Sequence, residues 1–80
     1  MLFRSGVKKG IPDLFLPTPR GEFAGLYIEL KKPGHKAKLS AEQSEFKLFA
    51  LDNGYSWYVC DNWEEGWEII KNYLDRKSVV

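Results

Sequence analysis

The sequence predicts an α/β fold, a small three-stranded sheet carrying two helices, within a single domain spanning residues 1–80. Three observations predict it. Apolar and polar residues alternate from Ala24 to Lys31, the two-residue period of a strand with one covered face. A capping signature opens at Ser40 and a glycine exit closes at Asn53–Gly54, which frames a helix. Between that helix and a second amphipathic stretch lies YSWYVC, residues 55–60, rich in the aromatic and β-branched residues that strands favour.

Taken in order, the opening MLFRSGVKKGIPD contains Gly6, Gly10 and Pro12 and is expected to be irregular backbone. Pro12 has no amide hydrogen and pushes Ile11 toward extended geometry. Leu14, Phe15 and Leu16 make a short strand, ended by Pro17 and Pro19. The polar run from Arg20 to Gly25 reverses the chain. In the second strand Ala24, Leu26, Ile28 and Leu30 fall on the core side, and Tyr27, Glu29 and Lys31 on the other. Pro33 and Gly34 stop it. Ser40 caps the first helix, with Gln43 three residues on where a capping box takes Glu or Gln. Phe46, Phe49 and Ala50 form one apolar stripe of that helix, and Leu48 and Leu51 a second side. After the third strand, Asp61 or Asn62 caps a helix whose stripe is Trp63, Trp67, Ile70 and Leu74. The end, Asp75 to Val80, is expected to fray.

The order is strand, strand, helix, strand, helix. The strand–helix–strand passage from 26 to 60 implies parallel neighbours or a crossover onto the same sheet. Such a sheet makes a thin core, and a helix with two apolar sides leaves surface uncovered, so a homodimer is the expected way of burying it.

Composition narrows the class. With 44% hydrophobic and 15% aromatic residues the chain is globular rather than disordered. Its apolar runs are too short to span a bilayer, and Met1 to Arg4, followed closely by Lys8 and Lys9, is too short for a signal peptide. The single cysteine, Cys60, forms no internal disulfide, which fits a reducing, cytoplasmic location. Net charge is +1, but it is unevenly spread: residues 1–40 hold eight Lys or Arg against three acids, a net of +5, and residues 41–80 four against eight, a net of −4. Lys8, Lys9, Lys31, Lys32, Lys36 and Lys38 make up much of the basic half. That polarity suits a first half facing phosphates; the competing reading is a solvated basic face.

One constellation can do chemistry. Pro12–Asp13 is followed 16 residues later by Glu29-Leu30-Lys31. Glu29 and Lys31 share a strand face, and pairing of the first two strands brings Asp13 and Glu29 to one end of the sheet. Two carboxylates held together are costly unless protonated or bridged by a cation. Oxygen ligands of this kind suit Mg²⁺ or Mn²⁺, with the Leu30 backbone carbonyl as a further ligand. Lys31 would then orient a water attacking phosphorus, or steady the charge that develops. A salt-bridged strand face is the plain alternative for Glu-x-Lys, and a turn pair for Pro-Asp.

Several separated motifs, GVKKGIPDLFLP (residues 6–17), GLYIELKKPG (25–34), LSAEQ (39–43) and LDNGYSWYVC (51–60), resemble in order and spacing those of the VRR-NUC family. That family is a branch of the PD-(D/E)XK nuclease superfamily found in phages, bacteria and a eukaryotic DNA-repair nuclease. The resemblance runs over residues 6 to about 74. It implies a restriction-endonuclease-like core, Asp13 and Glu29 as metal ligands, Lys31 as the catalytic lysine, and Gln43 as the glutamine that the family places on the helix beside the site. It further implies an Mg²⁺- or Mn²⁺-dependent DNA endonuclease, bacterial or phage-encoded, acting on branched or junction DNA as a dimer. Members usually carry an N-terminal helix with an acidic residue before the glycine-rich segment. Only five residues precede Gly6 here and none before Asp13 is acidic, so the expected core lacks that helix.

The remaining candidates have plainer readings. Gln43 as a cap conflicts with Gln43 at the site, because a side chain satisfying a backbone amide cannot also reach a metal-bound water. Lys8, Lys9, Lys36 and Lys38 lie in loops flanking the site and are expected to bind DNA phosphates. His35 is expected as a surface group and Cys60 as a small core residue. Trp63 and Trp67 are read as core or dimer contacts before base-stacking platforms, since their helix is acidic. Tyr27 either lines the groove or covers apolar sheet. The competing functions are a non-catalytic nucleic-acid-binding module of the same fold and a structural subunit of a larger nuclease.

Overall fold

The computed structural model describes Phe3–Arg4 and residues 10–77. Lys8 and Lys9, two of the four lysines expected at DNA, lie outside the described residues, as does Gly6. The elements are β1 (Phe3–Arg4), β2 (Leu14–Leu16), β3 (Leu26–Leu30), α1 (Ala41–Asp52), β4 (Ser56–Cys60) and α2 (Trp63–Leu74). They form one sheet in the order β1-β2-β3-β4. Strand β2 pairs antiparallel with β3, Leu14 opposite Ile28, and β3 pairs parallel with β4, Ile28 opposite Tyr58. The three strands and two helices read from the sequence are all present. The two-residue β1 is an addition in the stretch expected to be irregular, where Phe3 and Arg4 pair antiparallel with Phe15 and Leu14.

Alternation along β3 decides what each helix covers. Leu26 and Ile28 point to α2, where they form the core with Leu16, Cys60, Ile70 and Tyr73. The Tyr73 hydroxyl donates to the Thr18 carbonyl at 2.7 Å, tying the end of α2 to the segment after β2. Tyr27 points the other way, toward α1: its ring stacks on Phe15 at 4.4 Å and meets Phe46 edge-on at 4.9 Å. The helices therefore lie on opposite faces of the sheet. Helix α1 carries the crossover that joins the parallel neighbours β3 and β4.

Both helix starts follow their sequence signals. Ser40 accepts from the Gln43 amide while the Gln43 side chain accepts from the Ser40 amide, a complete capping box. Asn62 caps α2 by accepting from the Glu65 amide at 2.8 Å.

The apolar stripes differ from expectation. In α1, Ala50 is fully buried, but Leu48 is 63% and Leu51 47% exposed, and Phe49 is half exposed. In α2 the buried side is Gly66, Ile70 and Tyr73, while Trp63, Trp67 and Leu74 lie outside it. Gly66 decides that orientation. A Cβ there would stand 3.2 Å from the Cys60 Sγ, so the helix packs its bare backbone on β4 and rolls the tryptophans to the flank. Leu30, expected in the core, is 36% exposed. It is the last residue of β3 and has no β2 residue beside it, because that pairing ends at Leu14 and Ile28. No helix among the described residues is long and apolar enough to cross a membrane.

Candidate active site

The site forms at the carboxyl end of β3, where β2 has stopped and the N-terminus of α1 comes down on the sheet. Two residues deliver Asp13 to it. Pro12 is buried. Gly10, at φ +86°, lies so close to α1 that a Cβ would stand 2.6 Å from the Glu42 carbonyl oxygen. Only glycine fits such an approach and such a φ. The chain enters β2 pinned against the start of α1, and Asp13 is left facing the end of β3, its carboxylate accepting from the Leu30 amide at 2.9 Å.

In an extended strand the N–H and C=O of one residue share an edge. The Leu30 carbonyl is thus directed to the same side as the Leu30 amide, the side of Asp13. Glu29 projects under α1 and is only 5% exposed. Burial first, then the charge of Asp13 and a hydrogen bond with it, push the Glu29 carboxyl up to about 7, against the opposing pull of Lys31. Such a value means that the two acids compete for a compensating positive charge, whether proton or cation.

Gln43 joins the remaining parts. Its Nε2 donates to Glu29 Oε2 at 3.2 Å, and its Oε1 accepts from Lys31 Nζ at 2.7 Å and from the Ser40 amide at 2.9 Å. The conflict expected between capping and a place at the site is therefore absent. A carboxamide oxygen has two lone pairs and its nitrogen is a separate donor, so one side chain completes the cap and bridges Glu29 to Lys31. Asp13, Glu29, Lys31 and Gln43 are all brought together.

The donor set is two carboxylates and a carbonyl, hard oxygens of the kind Mg²⁺ and Mn²⁺ take, and the raised Glu29 marks where positive charge is wanted. Asp13, Glu29 and Leu30 thus fit a divalent cation. No group of three or more His, Cys, Asp or Glu side chains converges among the described residues.

The flanking loop is held differently from the sequence reading. Lys36 is engaged by Glu65 at 2.7 Å rather than standing free for phosphate, and the Gly34 amide donates to Asp61 at 3.0 Å. That contact holds the Asp61 carboxyl below the usual carboxylate range. Glu65 and Asp61 together latch the β3–α1 loop to the start of α2. The sequence offered Asp61 only as a possible cap of α2, a place that Asn62 takes, and Glu65 reads there as an ordinary residue of an acidic helix start. Lys38 and His35 are exposed. Cys60 is fully buried and burial pushes its thiol up, which makes it a packing residue. Tyr27 belongs to the aromatic layer under α1 rather than to an open groove.

A family model described as the VRR-NUC domain matches residues 2–63, a span that includes every member of this cluster. A solved structure described as a "VRR_NUC domain protein" superposes with a TM-score of 0.86 at 28% identity, covering 96% of this chain and 70% of that one. No curated protein matches the chain.

Proposed function

We propose, since this chain belongs to the VRR-NUC family of nuclease-type domains, that it is a divalent-metal-dependent endonuclease hydrolysing phosphodiester bonds in DNA. One observation carries the reading: Asp13, Glu29, Lys31 and Gln43 converge on a single network at the end of β3, with Glu29 buried and its carboxyl raised to about 7. Asp13, Glu29 and the Leu30 carbonyl would hold Mg²⁺ or Mn²⁺, which supplies Lewis-acid stabilisation of the charge that builds on the phosphate. Lys31 contributes a fixed ammonium beside the same phosphate, neutralising charge that grows as water adds in line with the leaving oxygen. Gln43 keeps that ammonium on station by accepting one of its protons, and its anchorage to Ser40 makes the position part of the helix start rather than of a free side chain.

Substrate selection fits DNA shape better than base sequence, since loop lysines near the site are suited to phosphate contacts. Branched or junction DNA is the substrate class proposed. The test is incubation of purified protein with linear duplex and four-way-junction DNA in Mg²⁺ or Mn²⁺, beside Glu29→Ala and Lys31→Ala. Metal-dependent cutting, lost in both variants and greater on the junction, is the expected result. Binding without cutting in either metal would favour a non-catalytic nucleic-acid-binding module, and neither activity would favour a structural subunit.

A further inference from the structure

Strand β4 ends the sheet, and its pairing with β3 decides what the outer edge presents. The Ser56 amide donates to the Gly25 carbonyl, and the Cys60 carbonyl accepts from the Lys31 amide. In a parallel ladder this makes Ser56, Tyr58 and Cys60 the residues bonded to β3, so the N–H and C=O groups of Trp57 and Val59 point outward. Among the described residues no further strand pairs with them. The sequence SWYVC contains no charge and no proline, two of the devices that blunt such an edge.

A cavity of about 90 Å³ adjoins this edge on the α2 face, lined by Tyr58, Ile69, Asn72, Tyr73 and Arg76. Sites for free small molecules run to roughly 300–1,000 Å³, so this one has room for a single side chain. The Tyr73 hydroxyl is already committed to the Thr18 carbonyl, which leaves the Asn72 carboxamide and the Arg76 guanidinium as donors. Arg76 lies over the Phe23 ring at 5.1 Å and joins no ion pair among the described residues. Glu65, on the same flank of α2, is engaged by Lys36. On the other face of the sheet Lys47 lies over the Trp57 ring at 5.0 Å, likewise outside any described ion pair. Exposed Leu51 stands one turn after it on α1. An uncharged strand edge is thus bordered by one unpaired cation on each face.

We infer that the β4 edge receives an extended acidic segment of a partner protein, which adds as a fifth strand and places one carboxylate in the cavity beside Tyr58. Antiparallel addition gives the stronger ladder. Residues opposite Trp57 and Val59 then exchange both N–H···O=C bonds with them and project to the α1 face. The residue between, opposite Tyr58, projects to the α2 face, where Arg76 and Asn72 stand to hold its carboxylate. Its neighbour beside Trp57 comes against Leu51 and the stem of Lys47, which favours an apolar side chain. The segment therefore alternates apolar, acidic, apolar, with main-chain bonds supplying affinity and the cavity supplying selectivity. A nucleic-acid strand would suit the two cations but leave the outward carbonyls of Trp57 and Val59 without donors. A second copy of β4 would bring Tyr58 where the cavity takes a carboxylate.

The probe is a capped heptapeptide, GTVEVTG, titrated to about 2 mM into the isotope-labelled full chain and followed by amide NMR shifts. It involves no cutting, so the outcome is independent of the endonuclease reading. A dissociation constant on the order of 0.1–1 mM is expected for so short a strand, with the largest shifts at the Trp57 and Val59 amides. Replacing the peptide's Glu by Gln should weaken binding at least fivefold. Arg76→Met, which keeps the stem beside Gly21 and removes the charge, should do the same. Lys71→Met, whose ammonium is held by Glu68, should leave affinity unchanged. Val59→Pro removes an outward amide that β3 does not use and should abolish binding; if that variant does not fold, Arg76→Met and the Gln peptide still decide. Several results would overturn the proposal: unmoved Trp57 and Val59 amides, or equal affinity for the Glu and Gln peptides. So would shifts at these amides that follow protein concentration instead of peptide, as a second copy at the edge gives, or that a short DNA duplex produces more strongly than the peptide.

Discussion

Replacing Glu29 by Gln should stabilise this protein at neutral pH while abolishing its proposed chemistry. Glu29 holds its proton to about 7, against an ordinary value of 4.5. At about 1.4 kcal/mol per tenfold change in an equilibrium constant, that difference amounts to about 3 kcal/mol, and water reaching the edge of the site trims the expectation to about 2–3 kcal/mol. The sign follows from which state holds the proton. Below pH 4.5 both folded and unfolded chains carry a neutral Glu29 and nothing is lost. As pH rises toward 7 the unfolded chain releases a proton that the folded chain keeps, so stability falls through that window and levels off above it. Gln has the shape of the protonated acid, can still accept from Gln43 and can donate to Asp13, but it does not ionise. Urea titrations of both proteins from pH 4 to 8 should therefore show curves that coincide at the acid end and separate by about 2–3 kcal/mol above pH 7. For a domain of this size the gap corresponds to roughly 10–20 °C in melting temperature. Millimolar Mg²⁺ at pH 8 should raise the wild-type melting temperature and leave that of Glu29→Gln nearly unchanged, because the cation relieves the repulsion that the variant lacks. Parallel pH curves would refute the claim that Glu29 and Asp13 compete for positive charge.

Gly10→Ala places a methyl group on the Glu42 carbonyl and in a backbone region that L-residues avoid; it should cost about 2 kcal/mol in urea unfolding and lower metal affinity by moving Asp13, an effect absent from Gly34→Ala despite the similar φ. Lys38→Ala should reduce the slope of log DNA affinity against log salt by about 0.9, while Glu65→Gln, which frees Lys36 from its ion pair, should steepen that slope.

Local signals were readable wherever short-range rules decide the outcome. Ser40 and Asn62 cap the helices, Asn53–Gly54 ends the first of them, and the parity of β3 separates Leu26 and Ile28 from Tyr27 and Glu29. Two of the departures concern which residues of an element meet a neighbour. Trp63, Trp67, Ile70 and Leu74 make a convincing stripe by spacing alone, yet Gly66 lets the helix approach Cys60 so closely that the buried face rotates toward it. Leu30 obeys the alternation but stands where β2 has already ended. Neither circumstance is written in periodicity, since each depends on how far a neighbouring element extends.

The site was legible for a further reason: its members are also structural signals. Glu29 and Lys31 were located by strand parity, Asp13 by the proline before it, and Gln43 by its distance from Ser40. Gln43 was hardest to assign, because treating its cap and its site role as exclusive assumes one contact per side chain. The geometry shows three contacts on two atoms. Fixing the side chain by a backbone amide is what makes it a reliable bridge: a glutamine free to rotate would lose several rotamers in reaching Glu29 and Lys31 together, whereas one already held by the capping box has lost most of that freedom on folding. Helix capping and site assembly are here a single arrangement.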